Sequence, residues 1–388
     1  MNMKHYRHFR LLAAGLMLTL AAPAAHAQQW TVLGESYTPD TLFHTTVAPG
    51  ITQTTLDLKG GTMKLRVCYA TADLGRVRPR VVKGCDSIAG HETLSGMAQR
   101  KGRRYIAGVN ADFFYETAPC GATVVDGEFY WAGGEGWQGL AIDSNGKPHI
   151  VQNAVFNSVI EGQAISVNTE QAYDGLTLYT PRYGHSTRTD ATAAEVVLKP
   201  VGRQRTVTPG QDMTFKVTST AGPSSHNLRI PRHGFVLSGS GNAAERIKGL
   251  RPGQQLHFRL DAWADGRQMN DIVQFVGGCP RILSGGQALD TEGVLDHLAG
   301  KHPRTAVGYD STGTKLVILV VEGRSAHSHG IRSRGLADIM RSLGCTEALN
   351  FDGGGSSELY VRRLGPRNFT TDGHERRVIN ALFLSKGK

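Results

Sequence analysis

The sequence predicts an α+β fold: a strand-rich mixed sheet, with a β-α-β crossover near the C-terminus and a β-rich subdomain in the middle. Turn-forming residues are dense, with 48 glycines among 388 residues, and short apolar or alternating runs lie between them. Helical periodicity is confined to two stretches, residues 91–101 and 335–344. Many short strands with few helices favour a fold in which strands are the majority.

The predicted strands are short runs bounded by Gly, Pro, Asn or Asp. The clearest runs are residues 63–69, 105–109, 195–198, 213–217, 234–237 and 255–260. The composition changes around residues 157 and 271, between which the chain is rich in Thr, Val and Gly. Four segments are therefore predicted, namely a signal peptide (1–27), the N-terminal part of the main domain (28–156), a β-rich subdomain (157–271) and the C-terminal part of the main domain (272–388).

The first residues have the pattern of a cleavable signal peptide. A basic region is followed by an apolar run from Leu11 to about Pro23, and Ala25-His26-Ala27 provides the small residues that signal peptidase requires. The apolar run is shorter than the ~20 residues of a membrane span. The sequence therefore predicts cleavage after Ala27 and a mature chain without a membrane span, either periplasmic or secreted.

The net charge and the cysteine spacing limit the ligands and the metal or redox sites that the sequence predicts. The formal net charge is +10, and the basic residues are dispersed rather than clustered. This pattern fits either a solvated basic surface or attraction to anionic polymers and phosphate-bearing substrates, and no nucleic-acid partner is predicted. None of the five cysteines forms a CxxC pair, so no zinc or redox motif is predicted, while export would permit up to two disulfides. The oligomeric state stays open.

Candidate site residues concentrate near the C-terminus. The apolar run 315–321 predicts a buried strand that ends at Glu322, and the strand 348–351 ends at Asp352 after the intervening helix. Strand–helix–strand of this length predicts a crossover between parallel strands, and ligands bind at the carboxyl ends of such strands. Glu322 and Asp352 are therefore expected to face one crevice.

A hairpin brings a basic residue to the same place. Strands at 305–309 and 314–320 flank the turn 310–313, and counting back from this turn puts Arg304 opposite about Leu319. Arg304 would then converge on the two carboxylates. Either it forms a structural salt bridge, or it is a clamp for phosphate or carboxylate, which guanidinium binds with two hydrogen bonds.

The segment after Asp352 holds three glycines and two serines. Successive backbone N–H groups of such a segment can form an anion-binding nest, with the serine hydroxyls as further donors; the alternative is a tight turn. It matches neither a Walker loop nor a GxSxG elbow. The candidate anion-binding residues are Gly353, Gly354, Gly355, Ser356 and Ser357.

Two further segments carry candidate ligands. Asn110 and Asp112, followed by two phenylalanines, suit the floor of a sugar site, although an Asx-turn ahead of two core rings explains them equally well. His327 and His329 alternate in a Gly/Ser-rich loop, which fits a mobile loop better than a metal site. No metal and no cofactor are predicted.

Taken together, these motifs resemble the phosphodiester glycosidase family. They occur in one order along most of the chain, from about residue 70 to the end. The matching segments are 110–114, 303–308, 321–324, 349–357 and 378–382. Two departures are the Asp at position 112, where many relatives have Gly, and the His-rich segment 325–330.

The resemblance implies hydrolysis of a glycosyl-1-phosphodiester to a free sugar and a phosphomonoester, with a glycan or sugar-phosphodiester as the substrate. It implies that Arg304, Arg324 and the glycines hold the diester. Glu322 or Asp352 would stabilise an oxocarbenium-like centre or activate water, and which carboxylate does which stays open. Two other functions remain: a non-catalytic polysaccharide-binding or exopolysaccharide-export accessory protein, and an ester hydrolase that uses Ser356 or Ser357.

Overall fold

The computed structural model describes residues 29–222, 225–291, 294 and 299–387. The predicted signal peptide, residues 1–27, lies outside the described residues. Strands account for 46% of the structure and helices for 9%, which confirms the predicted α+β class with a strand majority. No helix within these ranges is long and apolar enough to cross a membrane.

A nine-stranded sheet forms the centre of the molecule. Its strands are β1 (Trp30–Val32), β2 (Glu35–Ala48), β3 (Ile51–Lys59), β4 (Leu65–Asp73), β20 (Arg281–Ser284), β21 (Gln287–Ala288), β22 (Arg304–Tyr309), β23 (Lys315–Val321) and β24 (Glu347–Asn350). They are ordered β1-β2-β3-β4-β23-β22-β24-β20-β21, and each pair of neighbours is antiparallel. β23 and β24 therefore run parallel, as predicted, but β22 lies between them.

Two five-stranded sheets cover one face of the central sheet. The first contains β5 (Val77–Lys83), β6 (Tyr105–Asn110), β25 (Leu359–Val361), β26 (Gly365–Pro366) and β27 (Asn380–Lys386). The second contains β7 (Thr123–Val125), β8 (Glu128–Trp131), β9 (Gly139–Asp143), β10 (Pro148–Val151) and β19 (Ile272–Gly277). Alternate residues of β23, such as Ile318 and Val320, are buried among apolar side chains of these sheets. This is the strand buried on both faces that its apolar sequence predicts.

Helices are few and short. Helix α1 spans Leu94–Lys101 and begins at Thr93, whose side chain accepts a hydrogen bond from the backbone N–H of Gly96. Helix α3 spans Ser333–Ser342 and packs its apolar face on the other side of the central sheet. Helix α2, Asn242–Gly249, was not among the predicted elements.

The middle of the chain forms its own sheet. Its strands are β11 (Val155–Ile160), β12 (Gln163–Val167), β13 (Leu176–Tyr179), β14 (Ala193–Val201), β15 (Asp212–Val217), β16 (Phe235–Ser240), β17 (Gln255–Ala264) and β18 (Arg267–Gln268). β11 pairs with both β12 and β17, so this sheet closes on itself. Its apolar interior is continuous with Val124, Phe129 and Phe275 of the second five-stranded sheet.

The hairpin register differs from the prediction by two residues. Arg304 pairs with Val321 rather than with Leu319, because the loop runs from Asp310 to Thr314. The side chain of Asp310 closes this longer loop by accepting hydrogen bonds from the backbone N–H groups of Thr314 and Lys315, each at 3.0 Å.

Candidate functional site

Three strand ends meet at one edge of the central sheet. Strands β23 and β24 end there, and β22, which runs in the opposite direction between them, begins there. The residues at these ends are Glu322, Asp352 and Arg304. The topology thus brings the three candidate residues to the same sheet edge, although not to the same face.

A cavity of about 250 Å³ opens at this edge. Among the described residues it is lined by three guanidinium groups, one carboxylate, one imidazole and the glycine segment. The lining residues are His302, Arg304, Arg324, Asp352, Gly353, Gly354, Gly355 and Arg376. We call it the arginine cavity. Its excess of positive charge suits an anionic ligand.

Arg304 forms the buried wall of the arginine cavity. Its side chain is 2% exposed, and it donates hydrogen bonds to the carbonyls of Ile331 at 3.1 Å and Gly300 at 3.0 Å. Burial and the adjacent positive charge of Arg324 lower the pKa of Arg304 to about 10, and the charge of Asp352 acts against them. The guanidinium therefore stays charged at neutral pH in a fixed orientation.

Arg324 reaches the arginine cavity from an unusual backbone conformation. Its φ is +55°, a left-handed value that non-glycine residues seldom adopt. Its Nη2 lies 3.1 Å from Nδ1 of His302, so the imidazole helps to hold the guanidinium. Strained backbone of this kind persists where the surroundings fix it, and it often occurs at ligand sites.

Arg376 is a cavity residue that the sequence analysis did not select. Its Nε donates to Asp372 at 2.7 Å, and its Nη1 lies 3.4 Å from the hydroxyl of Ser356. A side chain at Gly355 would overlap the Arg376 guanidinium, so this glycine permits the close approach. The available signal was the charged run 375–377 ahead of the last strand.

The glycine segment does not form the expected anion nest. Residues Gly354–Ser356 form a 3-10 turn, and four N–H groups in and beside it are bonded to acceptors within the protein. The N–H of Gly353 donates to Asp352 Oδ1, that of Gly354 to Pro303 O, that of Ser356 to Gly353 O and that of Ser357 to Gly354 O. Anion contacts in the arginine cavity must therefore come mainly from side chains.

The two serines lie behind the arginine cavity. Ser356 and Ser357 are 1% and 2% exposed, and neither lines it. A nucleophile has to reach the bound substrate, so these positions give no support to an ester hydrolase that uses either hydroxyl.

Glu322 points away from the arginine cavity, contrary to the expectation of one shared crevice. Arg304 lies opposite Val321 in the sheet, and consecutive strand residues point to opposite faces, so Glu322 belongs to the other face. Its carboxylate accepts the N–H of Phe369 at 2.8 Å and faces the thiol of Cys68. Glu322 is 4% exposed, and burial raises its pKa above the usual range.

Asn110 braces the backbone behind the arginine cavity. It donates to the carbonyl of Asp352 at 2.7 Å. Its own carbonyl accepts the Thr305 hydroxyl at 2.8 Å and the Glu358 N–H at 3.1 Å. Both acceptor positions of the amide oxygen and one of its two N–H donors are therefore used by protein groups.

Asp112 is also a buried supporting group. It is 2% exposed and accepts hydrogen bonds from the Gly121 N–H at 2.7 Å and from the Trp137 indole at 3.1 Å. Burial raises the pKa of Asp112 to about 8, the hydrogen bonds act against this, and the charge of Asp352 adds to it. The raised pKa favours the protonated form of Asp112 and so reduces the negative charge beside Asp352.

The two phenylalanines of this motif are partly buried. Phe113 makes an edge contact with Trp137, and Phe114 makes one with His91. Most polar groups of Asn110 and Asp112 are hydrogen-bonded within the protein, which indicates a supporting role for these two side chains. A sugar contact through the partly buried rings stays a prediction.

A buried pair of carboxyl groups lies beside the arginine cavity and was also missed. Glu358 is 3% exposed and faces Glu375, which also accepts a hydrogen bond from the Ser95 hydroxyl. Burial, followed by the facing carboxyl of Glu375, raises the pKa of Glu358 to about 9. One buried oxygen of each carboxyl has no other partner, which fits a proton shared between them.

The described part of the chain offers no metal site and no disulfide. It contains no group of three or more His, Cys, Asp or Glu side chains that could hold a metal ion. All five cysteines are free thiols, so the disulfides that an exported chain could form are not present. His329 lies against the backbone of Lys64, its Nδ1 being 3.4 Å from that residue's N–H.

Comparison with known families supports the sequence resemblance. Residues 206–385 match the family model described as phosphodiester glycosidase, which confirms the resemblance for this part of the chain. A curated relative, an uncharacterised SPbeta prophage-derived protein of Bacillus subtilis, is 45% identical over 85 residues. That match covers 22% of this chain and 13% of the relative.

Three solved structures are similar to this chain. A hypothetical protein from Synechocystis has a TM-score of 0.67 at 19% identity, over 90% of this chain and 64% of its own. A Burkholderia pseudomallei protein named as exported has a TM-score of 0.64 at 22% identity, over 84% and 75%. The catalytic domain of zebrafish N-acetylglucosamine-1-phosphodiester alpha-N-acetylglucosaminidase has a TM-score of only 0.42 at 13% identity, over 91% and 89%. The first two likenesses establish a shared fold.

Proposed function

We propose that this chain, whose residues 206–385 match the phosphodiester glycosidase family, is an exported hydrolase that cleaves glycosyl-1-phosphodiester bonds in envelope or extracellular glycans. Sugar-phosphate diesters such as α-N-acetylglucosamine-1-phosphodiesters are the proposed substrates. The observation that carries the proposal is the convergence of three guanidinium groups and one carboxylate on the arginine cavity.

The guanidinium groups provide the phosphate site. Arg304 supplies a fixed charge from the buried wall, while Arg324 and Arg376 approach from two other segments. Guanidinium binds phosphate oxygens with paired hydrogen bonds. Cleavage of the sugar–oxygen bond adds a second negative charge to the phosphate, so the cluster stabilises the leaving group more strongly as the reaction proceeds.

Asp352 provides the carboxylate of the reaction. Its side chain lines the arginine cavity, and its Oδ1 is held by the Gly353 N–H at 2.8 Å. The bond between the anomeric carbon and the phosphate oxygen breaks, and its electron pair leaves with the phosphate. A water oxygen adds to the anomeric carbon and loses its proton to Asp352, which also stabilises the positive charge that develops on the sugar.

Neutral Asp112 assists by leaving Asp352 ionised. Two adjacent carboxylates cannot both ionise easily, and burial keeps the proton on Asp112. The export part of the proposal depends on the N-terminal pattern that ends at Ala27.

The position of the broken bond tests the proposal. The purified protein is incubated in oxygen-18 water with UDP-N-acetylglucosamine and with a methyl diester of N-acetylglucosamine-1-phosphate, and the products are identified by mass spectrometry. We expect free sugar and an unlabelled phosphomonoester, because water attacks carbon. Label in the phosphate would identify a phosphodiesterase instead. Lack of any product, together with retained glycan binding, would favour the non-catalytic alternative.

A further inference from the structure

A second and larger cavity lies where the closed middle sheet meets the rest of the fold. Its volume is about 940 Å³, near the upper end of the range for small-molecule sites. One wall contains Tyr115 and Trp131, and the other is formed by loops that flank β13, β14 and β16. It shares no lining residue with the arginine cavity. We call it the tyrosine cleft.

The tyrosine cleft presents aromatic rings to solvent. Tyr115 is 73% exposed and Tyr173 is 86% exposed, so both rings are available to a ligand. Deeper in the cleft, the rings of Tyr179 and Tyr183 lie 4.7 Å apart. Flat rings with a polar tip offer an apolar contact surface and a hydrogen-bonding group together.

Polar groups of both charges lie among these rings. Glu170, Gln171, Arg188 and Asp190 all line the tyrosine cleft. The buried Oε1 of Gln171 has no hydrogen-bond partner, while its Nε2 donates to Gly175 O at 2.7 Å. The Arg188 guanidinium lies over the Tyr183 ring, 5.6 Å from its centre. Donors and acceptors thus alternate with apolar faces, as a ligand with many hydroxyl groups requires.

Buried polar residues fix the loops of the tyrosine cleft. Glu195 is fully buried and accepts hydrogen bonds from the hydroxyls of Thr187 and Thr189, each at 3.0 Å. Asn168 is fully buried and donates to Tyr130 O at 2.9 Å, which ties the middle sheet to strand β8. A binding surface held in this way loses little conformational entropy when it receives a ligand.

We propose that the tyrosine cleft binds an oligosaccharide chain. Pyranose rings would pack on Tyr115 and Tyr173, while their hydroxyl groups bond to the carboxylate, amide and guanidinium groups. The assignment of that chain as the glycan part of the substrate rests on the function proposed above. A peptide fits less well, because β12, β13, β14 and β16 each have strand partners on both sides and offer no edge for strand addition.

Two segments connect the tyrosine cleft to the arginine cavity. Arg377, the residue after Arg376, donates to His91 O at 2.6 Å, and Ala89 two residues before lines the cleft. The loop that starts at Asp112 also contains Tyr115, and Asp112 lies within electrostatic range of Asp352. The two cavities thus share supporting segments, and the proposal is that a glycan whose phosphate occupies the arginine cavity extends toward the tyrosines.

The test is to remove the two exposed rings. The double variant Tyr115→Ala/Tyr173→Ala is compared with the wild type and with Trp263→Ala, which removes an aromatic ring that is 41% exposed on β17 outside the tyrosine cleft. Binding is measured on an array of neutral, amino-sugar and uronic-acid oligosaccharides, from monosaccharide to octasaccharide. Calorimetry on the best-bound oligosaccharide then gives Kd.

We expect the wild type and Trp263→Ala to bind longer chains more tightly. The double variant should bind at least about tenfold more weakly, because two apolar contacts are lost. Its hydrolysis of UDP-N-acetylglucosamine should equal that of the wild type, since this short diester does not need the tyrosine cleft. The inference is overturned if the wild type binds no oligosaccharide of the array, or if the double variant binds as tightly as the wild type.

These measurements separate the two proposals. Tyrosine-dependent oligosaccharide binding without hydrolysis of any diester would contradict the proposed hydrolase and support the tyrosine cleft. Hydrolysis of the short diester without oligosaccharide binding would contradict the tyrosine cleft and leave the hydrolase intact. Thermal unfolding of each variant confirms that the protein is folded in every comparison.

Discussion

Asp352 and Glu322 occupy matching positions at the ends of two parallel strands, yet their surroundings are opposite. Asp352 lines a cavity with three guanidinium groups. Glu322 lies on the other face, against the N–H of Phe369 and the thiol of Cys68. The sheet topology determines which residues lie at this edge. The alternation of side chains along each strand determines the face of the sheet to which they point. The proposed active site therefore lies on the cavity side.

The largest expected effect comes from neutralising each carboxylate in turn, which tests whether Asp352 and not Glu322 takes part in the reaction. Asp352→Asn should lower kcat by about 10³-fold or more, because the reacting carboxylate is removed. Glu322→Gln should keep kcat within about threefold of the wild type, because the carboxylate does not touch substrate. Steady-state kinetics on the N-acetylglucosamine-1-phosphate diester measure both. An equal loss in the two variants would place Glu322 in the reaction and contradict the comparison.

The arginines offer the next largest effect. Arg376→Ala should raise KM by about tenfold to a hundredfold, because a charge-assisted hydrogen bond to the phosphate is lost. Inhibition by inorganic phosphate should weaken by the same factor. The matched control is Arg66→Ala on the Glu322 side, where the guanidinium is paired with Asp57 at 2.8 Å. Loss of phosphate inhibition in Arg66→Ala would show that the anion site is not confined to the arginine cavity.

A substitution at Gly355 tests the position of the Arg376 guanidinium without changing the charge of the arginine cavity. Gly355→Ala places a methyl group inside the Arg376 guanidinium, so the arginine must move and KM should rise by about tenfold. Gly249→Ala is the control, because a methyl group there has nothing within 4 Å. Kinetics and thermal unfolding are recorded together. Unchanged kinetics in Gly355→Ala would mean that the position of Arg376 is unimportant for binding.

The smallest effect concerns the buried carboxyl pair beside the arginine cavity. The pKa of Glu358 is about 9 in the folded state, against 4.5 for an ordinary glutamate. Between these pH values the folded state binds more protons than the unfolded state, so the free energy of unfolding falls as pH rises, by at most about 1.4 kcal/mol per pH unit for this group.

Glu358→Gln should flatten that dependence, since the amide does not titrate and can donate to Glu375. Urea unfolding at several pH values across this window measures the slope. Glu245→Gln is the control, because that side chain is 72% exposed on α2 and should leave the slope unchanged. A slope in Glu358→Gln equal to that of the wild type would contradict the shared proton.

The sequence allowed the fold class and part of the site to be predicted. The apolar run at 315–321 carries enough local information to define β23 residue by residue. The order of the motifs along the sequence also allowed Arg304 and Asp352 to be placed at one edge of the sheet. Hydrophobic periodicity did not predict helix α2, because this helix is short and contains many polar residues.

Other features depend on long-range packing and could not be predicted. Arg376 and His302 reach the arginine cavity from connecting segments whose direction no periodicity specifies. The loop after Asp310 shifts the hairpin register by two residues, which changes the residue opposite Arg304 but not the face on which Glu322 lies. The glycine segment looks suited to bind anions through its N–H groups, but most of these groups donate to the 3-10 turn itself, to Asp352 or to Pro303.

Because most N–H groups of the glycine turn are bonded within the protein, the charge preference of the arginine cavity depends mainly on its side chains. Arg304, Arg324 and Arg376 come from three separate segments of the chain. Single side-chain substitutions can therefore change the ligand charge that the cavity prefers, while the backbone conformation stays the same. Exchanging Arg376 for a neutral residue of similar length would shift selectivity from dianionic toward monoanionic ligands.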